Sequence, residues 1–283
     1  MIADFFQYDF LRYTFMTGVL IGIIAPLLGA FIVVRRLSLI ADALSHVTLA
    51  GIAFGLMIEK LFHIPFHPFY SGMIFSVAGS ILIEKLRGVY KAYQEIAIPI
   101  ILSGGVGLSV IFIAVANGFN TDLFNFLFGS VSAVSETDFY TILAISIGIV
   151  VVIAIFYKQL FALSFDEEHA TISGIHAKWI HLLFIVLTAL VIAASIRVVG
   201  VLLVSALMTL PVAASMRLAK GFKQMIILSI AFGETSVMIG LISGYYLNIP
   251  PGGTIVLTSI VILLLSIAWK RLAFIGKKAE GST

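Results

Sequence analysis

The chain contains no cysteine, which removes disulfides, thiolate metal ligands and sulfur redox chemistry from consideration. Charge is scarce as well: Asp, Glu, Lys and Arg make up 11% of 283 residues, against roughly 25% in soluble domains. Three motifs are missing: a Gly-x-x-x-x-Gly-Lys-Ser/Thr loop, a His-Glu-x-x-His pair and a Gly-x-Ser-x-Gly elbow. Their absence excludes a P-loop nucleotide site on this chain and counts against intramembrane hydrolysis. Any energy source is then an ion gradient or another chain. No basic region precedes the first apolar stretch, which is too long for a signal-peptide core, so no cleaved signal is expected.

Apolar residues are abundant. Hydrophobic side chains account for 61% of the sequence, and the mean hydropathy is +1.15. The apolar runs are about 20 residues long, enough to cross a ~30 Å hydrocarbon core as helix. The sequence therefore reads as an all-α polytopic membrane protein, one transmembrane domain over residues 1–283. Its net charge of +3 marks topology rather than a nucleic-acid partner, because position outweighs sum in such a protein.

Hydrophobic periodicity predicts spans at about 12–34, 38–61, 69–87, 95–116, 138–157, 178–196, 198–216, 224–247 and 253–271. With the N-terminus outside, only Arg12, Lys60 and Arg197 fall outside. Arg35, Arg36, Lys85, Arg87, Lys91, Lys158, Lys178, Arg217, Lys220, Lys223, Lys270, Arg271, Lys277 and Lys278 fall inside. That bias predicts a multi-pass protein with its N-terminus outside and its C-terminus cytoplasmic. The junction from Ile196 to Gly200 is too short for an ordinary loop, so a re-entrant pair of broken helices rivals two full spans and the count is eight or nine.

Two stretches are too short or too polar to span. Asn117 to Ser135, with an apolar Phe124 to Phe128 centre, reads as an outer interfacial or re-entrant helix. Residues 158–178 form the long cytoplasmic loop. Within it Asp166 stands where an N-cap would, Glu167 and Glu168 occupy a first turn that favours negative charge, and the run ends at Gly174. A short surface helix is expected there. Pro250 to Gly253 reads as a tight outer turn.

Three ionisable residues lie deep in predicted spans. Asp42 and His46 are four residues apart, which places them on one helical face about 6 Å apart along the axis. Ser38 and Ser45 share that stripe. Ionisable groups at such depth line a pathway or satisfy one another; the alternative for this pair is ordinary hydrogen bonding to neighbouring helix ends. A carboxylate with an imidazole suits Zn²⁺, Mn²⁺ or Fe²⁺ better than Ca²⁺ or Mg²⁺. Two ligands leave the shell incomplete, as a conducting site requires. Glu234, near the middle of its span, is open between a third ligand, a proton acceptor and a structural hydrogen bond. His63 and His67 flank Pro65 on an outer loop, and His169, His176 and His181 are expected at the cytoplasmic edge, solvated or interfacial.

Four segments resemble the permease subunits of ATP-binding-cassette importers for zinc, manganese and iron. They are Arg35-Arg-Leu-Ser-Leu-Ile-Ala-Asp-Ala-Leu-Ser-His46 with Gly51, the Phe165 to Ile175 loop, Val199 to Pro211, and Pro250-Pro-Gly-Gly-Thr-Ile-Val-Leu257. The resemblance implies a type II importer permease fold, a homodimer in a prokaryotic plasma membrane, a separate cytoplasmic ATPase and an extracellular metal-binding lipoprotein. It implies that Asp42 and His46 contact the transported Zn²⁺ or Mn²⁺; Ser45 and Glu234 are further pathway candidates from the residue reading alone, since Glu234 matches no motif of the family. It also implies that Phe165, Asp166, Glu167, Glu168, His169, Ala170 and Gly174 belong to the helix that docks on the ATPase. No permanent cofactor and no catalytic residue are expected. A gradient-driven metal or proton transporter, relaying protons through Asp42, His46 and Glu234, is the competing reading.

Overall fold

The computed structural model describes residues 8–63, 67–90, 92–116, 121–132 and 134–280. Pro65, Lys91 and the stretch from Asn117 to Asn120 lie outside the described residues, as do residues 1–7 and 281–283. Eight of the described helices are long and apolar enough to cross a membrane. They are α1 (Asp9–Val34), α2 (Ser38–Phe62), α3 (Pro68–Val89), α4 (Ala97–Val115), α6 (Glu136–Phe165), α8 (Ala177–Val199), α10 (Phe222–Leu247) and α11 (Pro251–Glu280). Between them stand the short helices α5 (Thr121–Phe128), α7 (Glu167–Ile172) and α9 (Val204–Leu218).

Burial orders the bundle. In the most apolar windows of α1 and α2, 67% of residues are buried, and 72% in α8, against 22% in α4, α6 and α11. The first three form the centre, and the last three turn broad apolar faces outward. That suits hydrocarbon, where helices must satisfy their backbone internally and nothing drives lipid-facing apolar side chains inward. Helix α2 packs chiefly on α3 and α4, while α1 packs on α6, α9 and α10.

The basic residues divide between the two ends of the bundle much as the charge bias predicts. Arg35 reaches His181 and Arg87 reaches Glu84 at one end. At the other end Arg197 pairs with Asp138, Lys60 donates to the carbonyl of Ala116, and Tyr13, beside Arg12, packs on Phe139. Helix α9 connects these ends. It follows Gly200, whose neighbours Val201 and Leu202 donate to the carbonyls of Phe126 and Leu127. It leads to Phe222, which packs on Phe161 and Phe165. Its 15 residues rise about 22 Å, less than the ~30 Å core. Eight long helices and one shorter crossing element stand where eight or nine spans were expected, and the Ile196 to Gly200 junction is the end of α8 rather than a re-entrant turn.

Two boundaries differ from the sequence expectation. Helix α6 continues to Phe165, so the first eight residues assigned to the 158–178 loop are helical. Pro251 opens α11 as its first residue, a position where the missing N–H costs nothing, so the outer turn is shorter than expected. Helix α5, eight residues long, lies against the end of α8, its Leu123 and Phe126 buried.

Candidate functional site

Helix α2 starts from a rigid connection. The N–H of Arg36 bonds to the carbonyl of Val33, and that of Leu37 to the carbonyl of Ile32. Arg36 is left-handed at φ 57°. This is the paired-bond ending in which the residue after the C-cap turns left-handed and closes the last carbonyls. Only Arg35 to Leu37 separate α1 from α2. The start of α2 therefore moves with Arg35.

Asp42 and His46 follow one turn apart, about 6 Å and 12 Å along a helix about 37 Å long. Both are half-buried, and neither has a hydrogen-bond or ion-pair partner among the described residues. Ordinary hydrogen bonding to neighbouring helix ends is thus not what these side chains do. Ser45 behaves differently. It is fully buried, and its hydroxyl donates to the carbonyl of Ala41 at 2.9 Å. Ser38 is half-buried beside them. The backbone at His46 is held by close approach: a Cβ on Gly105 of α4 would lie 2.9 Å from the nitrogen of Val47 and 3.1 Å from the carbonyl carbon of His46. Any side chain at Gly105 would part α4 from α2.

Glu234 sits midway along α10, facing Gly22 of α1, where a Cβ would lie 2.9 Å from its Oε1. That oxygen is buried without a hydrogen-bond partner among the described residues, so the structural hydrogen bond weighed for it is not made there. The described residues hold no group of three or more His, Asp or Glu placed for a metal. Asp42 and His46 thus stand as a pair, and Glu234 does not join them.

The expected surface helix is present as α7. Asp166 caps it, its Oδ1 accepting from the N–H of His169 at 2.8 Å. Gly174 ends it with φ 87°, its N–H bonded to the carbonyl of Thr171 and that of Ile175 to the carbonyl of Ala170. Ala170 is buried and anchors the helix. Glu167, Glu168 and His169 are exposed. So are two apolar side chains: Phe165 at 59% and Ile172 at 79%. Ile172 does not stand out in the sequence.

His181 departs from expectation. It is 7% exposed, neither solvated nor interfacial, because it forms the hub of a charged cluster. Arg35 Nη2 lies 2.7 Å from His181 Nδ1, and His181 Nε2 lies 3.1 Å from Glu84 Oε2. Arg87 lies against the same ring nitrogen. It pairs with Glu84 at 3.4 Å and donates to Gln94 at 3.0 Å. The Arg35 guanidinium also stacks on Phe184, 5.2 Å from the ring centroid. Burial lowers the pKa of Arg35, and the carboxylate of Glu167 opposes that shift. All these groups stand at helix ends that the charge bias places on one side.

The arrangement offers an unsatisfied acid–imidazole pair in the bundle interior and, at one end, a capped helix with exposed apolar and acidic side chains. Residues 7–270 match the model of the ABC 3 transport family. The chain belongs to that family. A probable metal transport system membrane protein of Treponema pallidum (strain Nichols) is 37% identical over 93% of this chain and 96% of its own length. The manganese import system permease protein ScaB of Streptococcus gordonii is 36% identical, covering 94% and 95%. The manganese transport system membrane protein MntC of Listeria monocytogenes is 32% identical, covering 97% and 96%. Among solved structures, PsaBC from Streptococcus pneumoniae in complex with Fab superposes with a TM-score of 0.80 at 35% identity, over 94% of this chain and 95% of that one. An inward-facing, metal-chelate type ABC transporter shares the fold alone, with a TM-score of 0.67 at 17% identity. As a member of the ABC 3 transport family the chain is a transport subunit and not an enzyme, its ATPase activity residing on a separate subunit.

Proposed function

We propose that this permease carries a divalent transition metal, Mn²⁺ foremost and Zn²⁺ next, into the cell past Asp42 and His46 of α2. The observation that carries this reading is that both side chains are half-buried on one face and unpartnered among the described residues. A carboxylate and an imidazole together favour a borderline divalent ion over Ca²⁺ or Mg²⁺. Two ligands bind weakly enough for the ion to leave. Manganese is the metal named for the Streptococcus gordonii and Listeria relatives, which supports placing it first.

The permease works as a homodimer, which supplies a second Asp–His pair across the axis and covers part of the apolar surface of α4, α6 and α11. A cytoplasmic ABC ATPase docks on α7, with Phe165 and Ile172 as apolar contacts and Glu168 and His169 as polar ones. An extracellular metal-binding protein delivers the ion at the Arg197 end, and lipid surrounds the rest. The N-terminus lies outside and the C-terminus in the cytoplasm, as the positive charge at the Arg35 end favours. A gradient-driven transporter is disfavoured by the family, and α10, which carries Glu234, does not touch α2 among the described residues.

The test is Mn²⁺ uptake by liposomes containing the purified permease and its ATPase, with the delivery protein outside. Uptake that requires ATP on the ATPase side supports the reading. Uptake by the permease alone, driven by a proton gradient, would overturn it.

A further inference from the structure

The helix proposed to dock and the helix proposed to carry the ion have no direct contact among the described residues: α7 touches α6 and α8, and α2 touches neither α6 nor α7. Motion at α7 must therefore reach Asp42 through something else. A cavity of about 230 Å³ lies between the start of α7 and the connection into α2, lined by Arg35, Phe165, Glu167 and His181 among others. It joins the last residue of α6, the first of α7, the connection into α2 and the start of α8. One donor of Arg35 is unused. Arg35 Nη1 is buried and has no hydrogen-bond partner among the described residues, while its Nη2 is committed to His181.

We propose that Arg35, held by His181 and Glu84, is a positioning relay between the ATPase-docking helix and the ion-carrying helix, with Glu167 as its input. Three features build the relay. The Glu84–His181–Arg35 chain fixes the guanidinium from the ends of α3 and α8, and Arg87, itself held by Gln94, braces Glu84. The Nη1 donor leaves one bond to be made, and Glu167, which lines the same cavity, carries the carboxylate that can make it. The connection from Arg35 to Ser38 is too short and too hydrogen-bonded to absorb a displacement.

Two arrangements follow. With α7 as seen here, Nη1 makes no hydrogen bond among the described residues. When docking pushes α7 inward, Glu167 closes on Arg35, and the guanidinium shifts on its His181 hinge. Helix α2, with Asp42 only seven residues beyond Arg35, shifts with it. An element with two discrete hydrogen-bond arrangements, biased by one site and attached to the other, is what physical coupling between distant sites requires. The carboxylate, rather than the bulk of Glu167, is the working part. Its removal costs coupling without removing the helix from its partner.

This inference rests on the permease reading above. It is tested on the reconstituted permease–ATPase complex by measuring ATP hydrolysis and Mn²⁺ uptake in the same liposomes. Glu167→Gln, at an exposed position, is expected to copurify with the ATPase and hydrolyse ATP while the Mn²⁺ moved per ATP falls at least fivefold. Arg35→Lys, which keeps the charge but loses the fork, is expected to lower the same ratio. The double variant is expected to be no worse than the more affected single one, since both break one link. An unchanged ratio in Glu167→Gln, losses that multiply in the double variant, or a loss of copurification that tracks the loss of uptake would each overturn the relay. Failure of the wild-type complex to move Mn²⁺ at all would instead overturn the permease reading, and the relay with it.

Discussion

Arg197 and Asp138 close an ion pair at 3.3 Å between the end of α8 and the start of α6, 59 residues apart in sequence. Both side chains are buried, at 12% and 2% exposure. The guanidinium also lies over Phe126, 4.9 Å from the ring centroid, and over Phe69 at 5.6 Å. Asp138 also serves its own helix. Its Oδ2 accepts from the Ser135 hydroxyl at 2.8 Å, and the Asp138 N–H donates back to Ser135 Oγ. This residue both caps α6 and neutralises Arg197, joining α3, α5, α6 and α8 at one end.

Removing Asp138 should therefore be costly. Breaking a buried pair by deleting one partner costs roughly 3–5 kcal/mol, and losing the cap adds about 1 kcal/mol. Asp138→Ala is expected to melt well below the wild type in detergent, whereas Ser135→Ala, which loses only the cap, should fall slightly. Equal melting temperatures for wild type and Asp138→Ala would contradict this account.

Three glycines meet nearby. A Cβ on Gly252 would run into the carbonyls of Val199 and Phe128, and one on Gly200 would meet the backbone of Leu127 to Gly129. Gly200 also has φ 86°, a conformation that penalises any side chain. Gly252→Val is expected to separate α11 from α8 and lower the yield of folded protein, measured as the monodisperse fraction after solubilisation. A variant as abundant and as stable as wild type would show that the close approach is dispensable.

Glu234 presents the opposite case, a buried carboxylate oxygen with no partner among the described residues. Glu234→Gln keeps the volume while discarding a charge that burial penalises. It is expected to melt no lower than wild type. A drop of several degrees would mean that the negative charge itself stabilises the contact with α1.

The docking helix makes a further prediction. Ile172 is 79% exposed and Phe165 59% exposed, and both stand on or beside the helix proposed to dock on the ATPase. Ile172→Ser is expected to reduce copurification of the ATPase severalfold while leaving the melting temperature of the isolated permease unchanged. Undiminished copurification would remove Ile172 from the interface.

Much of this is legible in the sequence, for physical reasons that also explain what is not. The long apolar runs specify the eight long helices, because little else suits a run of that length in lipid. Asp166 and Gly174 bracket α7, since a cap acts over three or four residues and leaves a local signature. The end of α6 is obscured because Lys158 and Gln159 look like a membrane boundary, yet the helix continues past them and buries Leu160 and Leu163. The Arg35–His181–Glu84 cluster is hidden for another reason. Arg35 and Arg87 stand 146 and 94 residues from the His181 they meet, and no single segment carries the pattern. Only the shared side assigned to Arg35, Arg87 and Lys178 hints that such charges would meet. For the ion site, Asp42 and His46 can be named from their spacing, but that they lack partners depends on the packing of α3 and α4 around α2.

The central claim is that the ion passes Asp42 and His46, and the most direct measurement is ATP-driven Mn²⁺ uptake by liposomes carrying the assembled transporter. Asp42→Ala and His46→Ala, each confirmed to copurify with the ATPase, are expected to lower uptake at least tenfold. Wild-type uptake in both variants would contradict the account.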